Sequence, residues 1–443
     1  MPSMKRDSNN KEILKLAIPN ILSNITIPLL GIVDTVLMGH EPEQAAVLIG
    51  AIGLGGVVFN AIYWNFGFLR MGTTGLTAQA FGLGDEQEQA LTLFRALGIG
   101  LILGLVLLAI SPYVGRVGFQ ILENSENGAA IGYARQYFGV RILAVPAVMC
   151  LFAIRGWFFG MQNAVFPLIL LTCVNLLNVA LSVYFVKVAG MGVEGVALGT
   201  VVAQFTTLTV AIALLLKKYR WIGKYFLLKL ISIPNKLARF FFVNGFIFIR
   251  TTLLFFVFAG FSYYSSAVDE AYFAMNQILL ELFYLMSYAV DGFAYAAESL
   301  VGKYFGAKNM KDLKKSVRLS MIWGLGFGLL FAGLYLGFGQ YFLQVFTKDQ
   351  ALIASGQPYI FWLAVISIVG AFAFIWDGVY GGATLVVEMA ISMAIATLSF
   401  FIAFYFLKEN YPKHAIWIAL TLYMFMRGVG QWLLFDRFVR KTI

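Results

Sequence analysis

Apolar residues recur in long helical runs separated by short polar breaks along the whole chain. The runs cover about 13–38, 45–69, 90–113, 131–158, 164–187 and 192–216, then about 239–262, 270–298, 317–340, 354–379, 386–407 and 415–435. Each is long enough to cross a hydrocarbon layer about 30 Å thick, which takes about 20 residues of helix. The pattern predicts an all-α polytopic membrane protein with twelve transmembrane helices, numbered here as spans 1–12 in chain order.

Composition agrees and removes the alternatives. Of the 443 residues, 60% are hydrophobic and 12% are charged, against about 25% charged in a soluble domain. High hydrophobicity excludes disorder, and two cysteines exclude a disulfide scaffold. The formal net charge is +10, but Lys and Arg fall mostly in loops, as in the positive-inside pattern. They therefore give no reason to expect nucleic acid as a partner. The N-terminal segment lacks a short apolar run followed by a small-residue cleavage site, so no signal peptide is expected.

Six runs precede and six follow a basic segment holding Lys217, Lys218, Arg220, Lys224, Lys229, Lys236 and Arg239, with no acidic residue. The expected organisation is a cytoplasmic tail over 1–12, an N-lobe over 13–216, a basic cytoplasmic linker over 217–238, a C-lobe over 239–436 and a tail over 437–443. An even number of spans with basic loops on the linker side places both termini in the cytoplasm. The halves also resemble each other. Asn20 with Leu29-Leu30 aligns with Asn244 and Leu253-Leu254, and Phe81-Gly82 with Phe305-Gly306, all at an offset of 224. Leu143-Ala144-Val145 aligns with Leu363-Ala364-Val365 at an offset of 220, and Gly160 with Gly381 at 221. Matches in order near half the chain length indicate a parallel internal duplication, with the substrate site between the two bundles.

Polar groups within spans are costly in lipid and mark candidate function. In span 1, Asn20, Asn24, Ile27, Gly31 and Asp34 share one helical face, and Pro28 removes a backbone hydrogen bond beside them. A carboxylate on a bendable helix can couple an ion to a shape change; an interfacial, structural Asp34 is the alternative. In span 8, Gln277, Glu281, Tyr284, Tyr288, Asp291, Tyr295 and Glu298 recur at alternating spacings of 4 and 3. This continuous stripe must face protein or water, either as cavity lining or in a structural network with Arg250 of span 7. Asn175, Asn178 and Ser182 share a face of span 5, and Thr200 and Gln204 share a face of span 6. Such groups serve either as interhelical hydrogen bonds or as ligand contacts. Asp377 in span 10 is a further candidate. Arg141, Arg155 and Arg427 are expected to pair with acids or carbonyls.

No metal motif, nucleophile constellation or phosphate-binding Gly-Lys-Ser/Thr loop is present, so neither an enzyme nor an ATP-driven pump is expected. No metal site and no cofactor beyond a coupling ion is expected either.

The sequence resembles the multidrug and toxic compound extrusion (MATE) transporters, in particular their DinF branch. The resemblance rests on Leu30-Gly31-Ile32-Val33-Asp34-Thr35 and on the run from Phe68 to Gly82, FLRMGTTGLTAQAFG. In the second half it rests on the run from Ser287 to Glu298, SYAVDGFAYAAE, and on Phe374-Ile375-Trp376-Asp377-Gly378. The resemblance implies two six-helix lobes forming a V-shaped central cavity, and H⁺- or Na⁺-coupled antiport of bulky, often cationic compounds. It implies that Asp34 is the protonation site. A second span-5 acid of the family falls on Ser182, after Asn178, so a two-carboxylate Na⁺ site is not expected and H⁺ is favoured over Na⁺. The family's span-6 threonine falls on Thr200. Where some relatives carry a span-7 glutamate, this chain has Arg250, Thr251 and Thr252, and a span-10 acid of another branch falls on Asp377.

The expected function is therefore multidrug efflux across the cytoplasmic membrane by alternating access, with protonation of Asp34 bending span 1 at Pro28. The expected partners are small amphipathic substrates, H⁺ or Na⁺, and membrane lipids, and the expected state is a monomer. A flippase for lipid-linked or anionic cargo is the alternative within transport, favoured if Arg141, Arg155 and Arg250 line the cavity. A receptor or channel without coupled transport is the alternative of another class.

Overall fold

Among the described residues, helices form where the apolar runs predict them, and most extend beyond the runs. The computed structural model describes residues 2–25, 37–38, 45–122, 128–226, 231 and 233–442. The first half comprises α1 (Pro2–Ile25), α2 (Ala45–Phe66), α3 (Phe68–Leu83), α4 (Glu86–Leu122), α5 (Gly128–Arg141), α6 (Val145–Gly160), α7 (Val165–Val183) and α8 (Val193–Lys218). The second half comprises α9 (Pro234–Ser266), α10 (Glu270–Gly306), α11 (Met310–Phe346), α12 (Gln350–Ala383), α13 (Val386–Leu407) and α14 (Ala415–Thr442). Among the described residues, eleven helical stretches are long and apolar enough to cross a membrane, and α1 opens the remaining span. The fold is the expected all-α one. Pro28 and Asp34 lie outside the described residues.

The extra length has a local cause. Apolar content reports only where a helix crosses hydrocarbon, whereas caps decide where it ends. Asp269 accepts from the backbone N–H of Tyr272 at 2.6 Å, Asn309 from that of Asp312 at 3.2 Å, and Asp349 from that of Ala351 at 2.9 Å. Span 2 was expected to end near 69. Instead the chain bends at Gly67 and continues as α3, a helix of 16 residues whose Thr73, Thr74, Thr77 and Gln79 are all buried. Span 4 is interrupted by a 3-10 turn over Ile142–Ala144, with Pro146 in the first turn of the helix that follows.

Two segments outside the spans make contacts of their own. The 1–12 tail is helical from Pro2, and Glu12 accepts from the Tyr304 hydroxyl at 2.9 Å and pairs with Lys303 at 3.3 Å. The basic linker has no acid of its own, and α4 supplies one. Glu88 pairs with Arg95 at 2.8 Å and Lys236 at 3.5 Å, while Arg95 Nε donates to the Ile231 carbonyl at 3.1 Å. The segment is thus partly helical and docked rather than a free tether.

The duplication is visible in the packing. A Cβ on Gly156 would strike the Arg70 carbonyl, and one on Gly378 would strike that of Ala294. Gly160 sits in the same way against Thr74, and Gly382 against Glu298. Left-handed backbone positions repeat too: Gln162 and Thr384 (φ 58° and 54°) occupy equivalent turns, as do Gly84 and Lys308 (φ 71° and 53°). The equivalent of Gly160 is therefore Gly382, not Gly381, because the glycine is needed where the crossing helix brings its carbonyl.

The two halves meet where α3 crosses α10. A Cβ on Gly82 would collide with the Lys303 carbonyl, and one on Gly306 with the Gln79 carbonyl. Gln79 and Lys303 are themselves separated by the duplication offset, so the contact is reciprocal about a pseudo-two-fold axis. Ala78 faces its own equivalent, Gly302, on that axis. Small residues at this crossing let the backbones touch, the usual basis of helix packing in lipid. Beyond the seam the apolar packing forms several cores. One is built from α9–α14 with Ile13, Leu16, Ala17, Met71, Phe159 and Ala164 from the first half, others lie within the first half, and a small one joins Leu69, Ala96 and Ala153 to Phe240 of α9.

Candidate functional site

The α10 stripe faces the first half of the chain. Asn24 Nδ2 donates to the Tyr288 carbonyl at 3.1 Å, Trp64 packs edge-on against Tyr284 with centroids 6.0 Å apart, and Phe159 lies 5.7 Å from Tyr295. From Glu281 onward along the stripe, burial increases. Glu281 is exposed, Tyr284, Tyr288, Asp291 and Tyr295 are half-buried, and Glu298 is buried. From Glu281 to Glu298 the helix rises about 25 Å. The stripe therefore runs from an accessible end down to the α3–α10 seam. Gln277 continues it at the accessible end and is half-buried.

The stripe ends on an ion pair between the halves. Arg70 Nη1 of α3 donates to Glu298 Oε2 at 3.1 Å, and its guanidinium lies 4.2 Å from the Tyr295 ring centroid and 6.0 Å from that of Phe159. Arg70 is 15% exposed and Glu298 1%. A charge pair this desolvated holds together only with good geometry, which the flanking rings enforce by stacking on the guanidinium. The pair links the two halves directly. A double-mutant cycle with Arg70→Gln and Glu298→Gln, read by thermal unfolding, is expected to give a coupling of about 1–3 kcal/mol. Strict additivity would show that the two charges act independently.

A second charged cluster lies within the second half. Asp377 of α12 accepts from Arg250 of α9, from Arg427 of α14 and, at 2.8 Å, from Gln431 Nε2. Arg427 Nε approaches the other carboxylate oxygen at 3.3 Å. Arg427, Gln431 and Asp377 are all buried. The structural partner of Arg250 is thus Asp377 rather than the stripe, and the expectation that Arg427 pairs with an acid is met. Asp377 is caged by three side chains, which leaves its oxygens engaged within the bundle.

In the first half, Asn178, Ser182 and Thr200 do come together. Asn178 Nδ2 donates to Thr200 Oγ1 at 2.7 Å, Ser182 Oγ lies 3.5 Å from the Val196 carbonyl, and Asn178 Oδ1 is buried without a partner. All three residues are buried. The cluster offers neutral oxygens only, so a cation there would need a carboxylate from elsewhere. Among the described residues no group of three His, Cys, Asp or Glu is placed to hold a metal.

Sequence reasoning overlooked Arg70, Gln79 and Gln431. Arg70 was hidden because span 2 was taken to stop before it. Gln79 Nε2 bridges the halves to the Gly382 carbonyl and to Thr384 Oγ1, both at 3.0 Å, and Arg239 donates to its Oε1 at 2.8 Å. The signal available was Arg427 and Gln431 at a spacing of 4, and Arg70 at the head of a run rich in Gly and Thr.

Known proteins share this sequence and architecture. The MatE family profile matches residues 19–184 and 245–407, one copy in each half. DNA damage-inducible protein F of Escherichia coli (strain K12) is 32% identical over 96% of this chain and 91% of its own length. A probable multidrug resistance protein NorM of Thermotoga maritima is 23% identical over 84% of this chain and 79% of its own. Among solved structures, a Vibrio cholerae MATE transporter in a bent form superposes with a TM-score of 0.87 at 16% identity, covering 99% of both chains. An outward-facing multidrug resistance MATE family transporter gives 0.87 at 17% identity, over 98% of this chain and 96% of that one. At such identities the likeness is one of fold.

Proposed function

We propose that this chain, which belongs to the MatE family of multi-pass membrane transporters and is not an enzyme, exports bulky amphipathic, mainly cationic compounds in exchange for inward protons. The observation that carries this reading is the α10 stripe. A continuous row of tyrosines and carboxylates, graded from exposed to buried and facing the other half, suits a cationic aromatic guest that enters from one side. Tyrosine faces attract cations through the ring quadrupole, and the carboxylates add charge attraction.

Proton coupling is assigned to Asp34, with Pro28 as the hinge. The Asn178, Ser182 and Thr200 cluster supports H⁺ over Na⁺, since it brings no carboxylate of its own to a metal cation. A proton neutralises Asp34, span 1 bends at Pro28, the first-half cavity changes shape and the substrate leaves outward. The N-lobe (13–216) and C-lobe (239–436) then rock about the seam, with the 217–238 segment joining them on the cytoplasmic side. The protein works as a monomer in the cytoplasmic membrane, with both termini inside, and needs no cofactor beyond the coupling ion.

Asp34→Asn is expected to reduce pH-gradient-driven efflux of a cationic dye from cells at least tenfold while leaving the amount of protein in the membrane unchanged. Full efflux by that variant at normal expression would overturn the assignment.

A further inference from the structure

Among the described residues, the interior guanidinium of Arg155 has no acidic counterpart. Arg155 of α6 lies 5.1 Å from the Phe152 ring centroid, and its Nε is buried without an acceptor. Among the described residues nothing hydrogen-bonds to it and no carboxylate pairs with it. Its electrostatic neighbours are Arg70, which repels it, and the Tyr295 hydroxyl. Arg155 is one helical turn before Phe159, which packs on Tyr295 of the stripe, so it lies on the face of α6 turned toward the second half. It is half-buried rather than sealed.

The duplication sharpens the anomaly. The packing equivalences place Arg155 opposite Asp377 of the second half. There the charge is caged by three side chains; here it is not. Around the lower part of the stripe, Arg70, Arg155, Arg250 and Arg427 face Asp291, Glu298 and Asp377. Arg70, Arg250 and Arg427 each pair with one of these acids, and among the described side chains Arg155 does not. A cation at membrane depth without a protein partner is costly, and a guanidinium fork matches a carboxylate or similar oxyanion.

We infer that Arg155 anchors an anionic group of the exported compound, so that the preferred substrates are amphoteric: an aromatic body with a cationic end on the α10 stripe and an oxyanion on Arg155. This rests on the export function proposed above and narrows its substrate class.

The test uses two dyes on one scaffold. Rhodamine B carries a cationic xanthene and a free carboxylate, and rhodamine B ethyl ester carries the cation alone. Binding of each to the full-length protein in phosphatidylcholine nanodiscs is followed by fluorescence polarisation at neutral pH. Wild type should bind the acid about tenfold more tightly than the ester, the scale of a charge-assisted contact. Arg155→Gln should remove that preference by weakening the acid alone, and Arg155→Lys should restore part of it. Equal or tighter binding of the ester by wild type would overturn the inference while leaving the export function standing. So would equal weakening of both dyes by Arg155→Gln. Failure of wild type to bind either dye would count against the export function, and the inference would fall with it. Should Arg155→Gln not fold, the wild-type preference still decides.

Discussion

Asp377→Ala is expected to destabilise the protein by about 3–5 kcal/mol, the scale for removing one partner of a buried ion pair. The carboxylate is the shared acceptor for Arg250 and Arg427, and Gln431 donates to it as well. Its loss leaves two guanidiniums facing each other, with that of Arg427 buried in the bundle. Most of the cost is this stranded charge, not the lost attraction itself. The account therefore makes a second demand. Asp377→Leu combined with Arg250→Met and Arg427→Leu should recover much of the loss, since a buried charge network can often be replaced by apolar packing. Thermal unfolding of the purified protein in detergent reads both. An Asp377→Ala protein as stable as wild type would mean that the cluster is hydrated or rearranged.

Gly82→Val and Gly306→Val should each reduce transport at least tenfold at normal membrane expression. The two positions are equivalents in the duplication, and each faces the backbone of the other half, at Lys303 and Gln79 respectively. Backbone cannot rotate away as a flexible side chain can, so a new side chain must push α3 and α10 apart. That prevents this end from closing and strains the Arg70–Glu298 pair, which links the same two helices farther along. Cysteine accessibility of a residue at the seam, such as Ala78→Cys, should rise in both valine variants. Gly84→Ala is a weaker change: open space surrounds the site, and only its left-handed φ of 71° resists. Normal transport by both valine variants would show that the seam does not have to close.

Much of this was legible in the sequence, for physical reasons. Twelve spans follow from hydrocarbon thickness, which any 20-residue apolar run records. The face of α10 was legible because seven polar residues at helical spacing have only one place to go. The duplication was legible as matched motifs, though its register at Gly160 needed the crossing carbonyls to fix it. Partners were not legible. Arg250 could have paired with the stripe or with Asp377, and only the meeting of α9, α12 and α14 decides between them. Arg70 was masked because an arginine ends an apolar run without ending a helix. Arg155 illustrates the same limit from the other side: an interior arginine is expected to find an acid, and only the packing shows that this one does not.

The central claim is proton-driven export. The most direct measurement reconstitutes the purified protein in proteoliposomes and follows movement of a cationic dye under one gradient at a time. A pH gradient in Na⁺-free buffer should drive uphill dye transport in wild type and fail to do so in Asp34→Asn, and a Na⁺ gradient at uniform pH should drive none. Dye transport that responds to the Na⁺ gradient and ignores the pH gradient would contradict the account.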